Sequence, residues 1–248
     1  MALKKYRYIF WDMDGTIVNT YEGVSKCVQY ALEPYGVQIE GEENIRRFIG
    51  PPLRDSFRRY AGIPQEQVEE VVARFRERYN PIGVFECELF PGVREAMQRF
   101  REAGLVQVLT SSKIEERCRD ILEKFKLTGY LDEIVGASPD GKIDSKIEVL
   151  QEAFRRLALS YPETGGSDCA NSEKGKIGIL DCPDCRGFRK EDTVLIGDTK
   201  YDADGAREAG IDCVGVSYGF GTREELMRHG ALEVYDDLQV LAYILTKL

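Results

Sequence analysis

A single histidine, His229, stands in this 248-residue chain, and its scarcity excludes whole classes of chemistry. Phosphatases with a histidine nucleophile, Ser-His-Asp hydrolases and histidine-rich metal centres all need an imidazole at the reacting atoms. His229 closes a polar helical stretch, Arg223 to His229, where a solvated surface position is expected. Any catalysis must therefore rest on carboxylates, hydroxyls and lysines. Positive charge is also short, with 34 Lys and Arg against 43 Asp and Glu, a net charge of −9. That balance argues against nucleic acid as a partner. No apolar run reaches membrane-spanning length, and the start, Met1-Ala2-Leu3-Lys4-Lys5-Tyr6, lacks a signal-peptide core, so a cytoplasmic protein is expected. The 7 cysteines are odd in number and mostly dispersed, which suits reduced thiols better than a disulfide framework. What remains is an ordinary globular composition, 43% hydrophobic and 31% charged, long enough for one large core or a core with a small satellite.

Against this background one junction stands out. An apolar strand, Tyr8-Ile9-Phe10-Trp11, runs directly into Asp12-Met13-Asp14-Gly15-Thr16. Two carboxylates one residue apart at the end of a buried strand repel each other and lose hydration, so positive charge must sit between them. A divalent cation with hard oxygen ligands, magnesium above all, answers that need. Phosphoryl transfer is the matching chemistry, with one aspartate as nucleophile and the other handling a proton.

The rest of the chain divides by texture. From about Asn19 to Cys87 the pattern is helical: Val24, Cys27, Val28, Ala31 and Leu32 recur at helical spacing, as do Val68, Val71, Val72, Phe75 and Tyr79. A short helix, Leu53 to Tyr60, follows Gly50-Pro51-Pro52, and no strand is expected in this block, which reads as a helical cap over residues 19–87. From Phe90 helices and strands alternate. Strands are expected at Val106 to Leu109, Glu133 to Val135, Thr193 to Ile196, Cys213 to Val216 and Leu232 to Tyr235. Such alternation implies an α/β core, a Rossmann-like doubly wound parallel sheet formed by residues 1–18 and 88–248. Tyr161 to Lys190, rich in glycine and cysteine, reads as an insertion.

Polar residues then recur at strand ends: Asp12 and Asp14 after the first, Ser111 and Ser112 after the second, Asp198 after Thr193 to Ile196, with Asp202 one helical turn later. Lys146 opens a helix in Ser145-Lys146-Ile147-Glu148-Val149. In a parallel sheet these ends share one edge, where ligands bind. Any one of them could be a helix cap or loop polar group, and Ser111 alone would be read so; together they make a site.

In order and spacing these motifs resemble the haloacid dehalogenase superfamily, most of whose members are magnesium-dependent phosphatases. The resemblance covers nearly the whole chain outside the insertion. It implies that Asp12 attacks phosphorus to form an aspartyl-phosphate and that Asp14 serves as acid and then base. It implies phosphoryl contacts from Ser111, the backbone at Ser112 and Lys146, with Gly15 and Thr16 beside the phosphate. Magnesium would be held by Asp12, the Asp14 carbonyl and Asp198, with Asp202 a direct ligand or just behind them. Lys113 and Lys142 lie nearby, but surface roles are expected for both. Asp14 separates phosphate-ester chemistry from carbon–halogen cleavage, because the dehalogenase branch lacks this second aspartate.

The cap is expected to select the substrate. Five arginines (46, 47, 54, 58 and 59) face only Asp55 between Arg46 and Arg59, and Arg54 and Arg58 share a helix face beside Gly50-Pro51-Pro52. This run either steers an anionic ester toward the core, with Arg54 as a substrate contact, or is a solvated helix, since eight arginines meet eight acids over Glu40 to Tyr79. Cap length and the Gly-Pro-Pro-Leu loop resemble the phosphoglycolate phosphatase-like and 5′-nucleotidase-like branches. A small phosphorylated metabolite is thus the expected partner, with no nucleic acid or membrane, for a monomer or homodimer. The alternatives are a phosphosugar mutase of the β-phosphoglucomutase type and a non-catalytic protein that binds phosphorylated ligands. In the insertion, Cys182-Pro183-Asp184-Cys185 resembles half a zinc knuckle, with Cys169 as a third ligand and Asp168, Asp181 or a partner chain left to supply a fourth. A surface loop is the other reading.

Overall fold

The computed structural model describes residues 3–162 and 187–247. The zinc reading at Cys169, Cys182 and Cys185 lies outside them. Six strands form one parallel sheet: β1 (Tyr8–Trp11), β4 (Val106–Ile114), β5 (Glu133–Ala137), β6 (Thr193–Gly197), β7 (Asp212–Val216) and β8 (Val234–Tyr235). Their order is β5-β4-β1-β6-β7-β8, so the chain winds outward in both directions from β1. The crevice beyond the carboxyl end of β1 is the switch point at which such sheets hold ligands.

β1 is buried on both faces because helices cover both. Ile9 and Trp11 face the layer of α5 (Val93–Glu102), α6 (Glu115–Lys124) and α10 (Leu238–Leu245), while Tyr8 and Phe10 face α7 (Lys146–Ser160) and α8 (Lys200–Ala209). This explains a run of four apolar residues where a half-exposed strand would alternate. Each such side chain contributes about 1.5–3 kcal/mol on burial. The two polar handles in the run are both engaged: Trp11 Nε1 donates to Gln107 Oε1 at 3.2 Å and Tyr8 OH to the Gly187 carbonyl at 3.3 Å. α9 (Arg223–His229) completes the outer layer.

The chain leaves the sheet through β2 (Val18–Asn19) and returns through β3 (Glu88–Leu89), and these two pair antiparallel at the neck. That neck went unread in the sequence because two-residue strands carry no periodicity. Between them lie α1 (Tyr21–Leu32), α2 (Glu42–Arg46), α3 (Leu53–Tyr60) and α4 (Val68–Tyr79), whose apolar faces continue the cluster on the Ile9 and Trp11 side of the sheet. The second core strand runs longer than the expected Val106 to Leu109, because β4 continues to Ile114 through a break in register between Ser111 and Ile114. The base of the insertion is pinned: Phe188 N donates to Tyr161 O at 2.9 Å, and both rings meet Tyr8 edge-on.

Candidate active site

The cleft beyond β1 is lined from the core by Asp12, Asp14, Ser111, Ser112, Lys113, Lys146 and Asp202, and from the helical block by Gly50, Pro51, Arg54, Phe75, Arg76 and Tyr79 among others. Lys146 is its hub. Ser145 caps α7 in a reciprocal box with Glu148, which fixes Lys146 in the first turn. Its ammonium meets Asp12 Oδ1 at 2.5 Å, Asp202 Oδ1 at 2.8 Å and the Thr110 carbonyl at 2.9 Å. Gly205 of α8 makes this approach possible, since a Cβ there would lie 2.5 Å from Lys146 Cγ. Burial alone would lower the lysine's pKa, but Asp12 and Asp202 outweigh it and keep the group charged.

Asp198 sits deeper, fully buried. Thr16 Oγ1 donates to its Oδ1 at 3.1 Å and the Phe220 amide to its Oδ2 at 2.7 Å. Gly15, at φ +91°, and Gly219 leave it room: Cβ atoms there would come within 2.0 and 2.3 Å of Asp198 Oδ2. The structure thus corrects the expectation for Gly15 and Thr16. Neither lines the cleft; one clears space for Asp198 and the other hydrogen-bonds it, while Tyr218 OH holds the Thr16 carbonyl at 2.9 Å. The loop carrying Tyr218, Gly219, Phe220 and Gly221 went unread in the sequence. Its signal was present: two glycines spaced by an aromatic, just past β7 and at the same edge of the sheet.

Asp12, Asp198 and Asp202 bring carboxylate oxygens within 4.8 Å of one another, all buried. Burial first, and then neighbouring carboxylates, raise both Asp12 and Asp198 above the usual carboxylate range. Three buried carboxylates against one ammonium leave two negative charges uncompensated, and the donors are all hard oxygens. The residues fit a divalent cation of the magnesium type in both charge and ligand chemistry. Asp202 is partly committed elsewhere, since its Oδ2 accepts from Thr199 N and Oγ1 in the cap of α8.

Asp14 occupies the other side of the cleft. Its Oδ2 pairs with Lys113 at 3.2 Å, and its Oδ1 is buried with no hydrogen-bond partner among the described residues. The surface role expected for Lys113 is therefore wrong. Its side chain is 10% exposed, and its ammonium also contacts Tyr79 OH at 2.5 Å, tying α4 to the core beside Asp14. Its burial opposes the charge, but Asp14 and Tyr79 together hold the ammonium protonated. The register break in β4 turns Lys113 inward, and no sequence period announces a break. Lys113 N also donates to Ser111 Oγ at 3.2 Å, which orients that hydroxyl at the cleft wall. Lys142, by contrast, is an exposed partner of Asp140.

Of the arginine run in the helical block, only Arg54 reaches the cleft, and it is engaged by Glu69 at 2.5 and 3.1 Å and by Asp144 at 3.9 Å. Arg46 pairs with Glu42 and Arg58 with Asp55, as in a solvated helix surface. His229 is half-buried rather than solvated, with Nδ1 2.8 Å from Asp204 Oδ2, and lies away from the cleft.

A doubly wound parallel sheet with buried carboxylates, a lysine and a serine gathered at its switch point defines a Rossmann-like α/β core whose acidic cluster could hold a cation. A family model described as haloacid dehalogenase-like hydrolase matches residues 9–164, and a second, HAD-hydrolase-like, matches 150–241. The chain belongs to the haloacid dehalogenase-like hydrolase family. It is 28% identical over 244 residues to a 5′-nucleotidase of Pseudomonas aeruginosa, covering 98% of this chain and 97% of that one. Phosphoglycolate phosphatase 1 of the same organism is 24% identical, with coverage of 97% and 80%. The crystal structure of a predicted phosphatase from Clostridium acetobutylicum superposes with a TM-score of 0.83 at 29% identity, covering 99% of this chain and all of that one. No helix among the described residues is long and apolar enough to cross a membrane.

Proposed function

We propose that this protein hydrolyses a small phosphate monoester through an aspartyl-phosphate on Asp12. Asp12 attacks phosphorus as the bond to the leaving oxygen breaks, and Asp14 donates its proton to that oxygen. Water then attacks the aspartyl-phosphate, Asp14 takes its proton, and the Asp12 carboxylate is restored with inorganic phosphate released. Ser111, the backbone at Ser112 and Lys146 hold the phosphoryl oxygens. Asp12, the Asp14 carbonyl, Asp198 and Asp202 hold magnesium, which when bound neutralises charge on the phosphoryl group. Arg54 borders the substrate at the opposite wall. Residues 1–18 and 88–248 act as the catalytic core, and 19–87 as the cap that selects the ester.

The observation that carries this reading is the meeting of Lys146 with both Asp12 and Asp202 at 2.5 and 2.8 Å, next to Asp198. Phosphoryl transfer is largely positioning and charge neutralisation, and this arrangement supplies both. Asp14 Oδ1, buried and without a hydrogen-bond partner among the described residues, is left available for the leaving oxygen in this reading. Relatives named 5′-nucleotidase, pyrophosphatase and phosphoglycolate phosphatase agree with phosphate chemistry. The test is phosphate release from phenyl phosphate with and without magnesium. Asp12→Asn is expected to lower kcat by about 10⁴-fold or more, as loss of a covalent nucleophile does. Undiminished turnover in that variant, or turnover that persists after chelation, would refute the mechanism.

A further inference from the structure

Five cationic side chains line the cleft: Arg54, Arg76, Lys113, Arg117 and Lys146. Four are neutralised by protein acids. Arg54 meets Glu69 and Asp144, Lys113 meets Asp14, Arg117 meets Glu116 and Asp120, and Lys146 meets Asp12 and Asp202. Of these five, Arg76 alone has a side chain with no hydrogen bond or ion pair among the described residues; its backbone carbonyl accepts from Asn80 N at 3.0 Å. Glu69 feels its charge, but gives both of its oxygens to Arg54.

Its placement is as specific as its isolation. Val72, Phe75, Arg76 and Tyr79 line the cleft from one face of α4, at the spacing that stacks side chains along a helix. Tyr79, one turn from Arg76, is anchored to Lys113, and Lys113 to Asp14. Arg76 thus lies one turn along α4 from the residue tied to the Asp14 wall of the cleft, and the leaving alcohol lies toward that wall if Asp14 protonates it. The same cleft is also lined by Ile49, Pro51, Leu53 and Val72, which carry no charge, and the acid that Arg76 acts on, Glu69, is already engaged by Arg54. A half-buried guanidinium among apolar walls is costly to leave unpaired, and its planar fork matches a carboxylate or phosphate.

We infer that Arg76 reads a second anionic group on the leaving alcohol. The preferred substrates are then phosphate monoesters whose alcohol carries a carboxylate or a further phosphate. This rests on the reading of Asp12 and Asp14 given above. Arg76 acts as a specificity-determining residue, and its effect falls on discrimination between esters.

The experiment compares kcat/KM for 2-phosphoglycolate, a short diol bisphosphate, glycerol 3-phosphate, adenosine 5′-monophosphate and phenyl phosphate, all with magnesium. Wild type is expected to prefer one or both of the first two, and which of them wins says whether the second anion is carboxylate or phosphate. Arg76→Gln is expected to shrink that preference by about 10- to 100-fold, mostly through KM, as loss of a charged hydrogen bond does. Arg76→Lys should retain part of it. An equal loss on every ester would make Arg76 a scaffold residue and overturn the inference. So would a wild-type preference for adenosine 5′-monophosphate or glycerol 3-phosphate that Arg76→Gln leaves in place. Loss of the underlying function has a separate signature, namely no magnesium-dependent phosphate release that Asp12→Asn abolishes, and it removes both proposals together.

Discussion

The sheet edge and the helical block above it both carry many charges, yet they handle them in opposite ways. At the sheet edge, Lys146 joins Asp12 and Asp202 across long stretches of sequence, with side chains between 2% and 11% exposed. In the helical block, Arg46 meets Glu42 and Arg58 meets Asp55 within one turn of one helix, with side chains between 40% and 60% exposed. The two kinds of pair look alike as distances, and differ in what surrounds them. Removing one partner of a buried pair strands a charge in low dielectric, while removing one partner of an exposed pair returns a charge to water. Buried pairs therefore fix geometry for chemistry, and exposed pairs keep a surface soluble.

Lys146→Met presses hardest on that contrast. It leaves Asp12 and Asp202 facing each other without compensation, so a loss of about 3–5 kcal/mol is expected in denaturant unfolding with chelator present. Magnesium should recover part of that loss by supplying the missing positive charge, and failure to recover would mean that the carboxylates do not share a cation site. Gly15→Ala comes next. Its Cβ would fall 2.0 Å from Asp198 Oδ2, and φ +91° strains any L side chain, so Asp198 must move. Magnesium affinity, followed by titrating thermal stability, should fall by about 10- to 100-fold, the range for disturbing what orients a ligand. Unchanged affinity would remove Asp198 from the cation site.

How much of this was legible beforehand follows the same division. The parallel sheet, its strands and the convergence of Asp12, Ser111, Lys146, Asp198 and Asp202 at one edge could be read, because strand periodicity and motif order survive in sequence. α3 and α4 also fell on the expected residues, Leu53–Tyr60 and Val68–Tyr79. Lys113 departs from the expected surface role because a break in strand register, which no pattern of residue types marks, accompanies its inward turn. Gly15 and Thr16 are expected beside the phosphate, yet they pack against Asp198 in a cradle completed by a loop some 200 residues away, which strand-end spacing does not reveal. The arginine run Arg46 to Arg59 reads as a field aimed at substrate, yet Arg46, Arg54 and Arg58 are matched by acids, and among the cations lining the cleft the one without a side-chain partner among the described residues is Arg76, which no charge run marks.

Glu86 tests the middle of the scale. It accepts from Arg78 at 2.7 and 3.1 Å and from Lys26 at 2.8 Å, with Arg78 and Glu86 about one-fifth exposed. The Arg78 hydrogen bonds above all, with Lys26 adding, lower its carboxyl to about 2. Because the folded-state value is depressed, the stabilisation is present above the unfolded value near 4.5 and is lost as pH falls through about 2. Glu86→Gln should therefore cost about 1–2 kcal/mol at pH 7, a figure discounted for partial exposure, and progressively less between about pH 4.5 and 2. A penalty that does not change with pH would assign the effect to packing instead of charge.

Arg46→Gln should produce the smallest effect of all. Glu42 precedes Arg46 by four residues, the favourable orientation along a helix, and the contact is short at 2.6 Å. With side chains 40% and 60% exposed, water already solvates both ends, and the pair is worth at most about 0.5 kcal/mol. Molar salt should erase even that, since the Debye length then shrinks to about 3 Å. Unfolding of wild type and variant in low and high salt measures it directly. A loss above about 1 kcal/mol that survives high salt would place Arg46 in a buried network and collapse the distinction between the two regions. A small, salt-sensitive loss instead assigns the Arg46–Glu42 pair to the solvated surface of the helical block, where local pairing screens charge from the cleft.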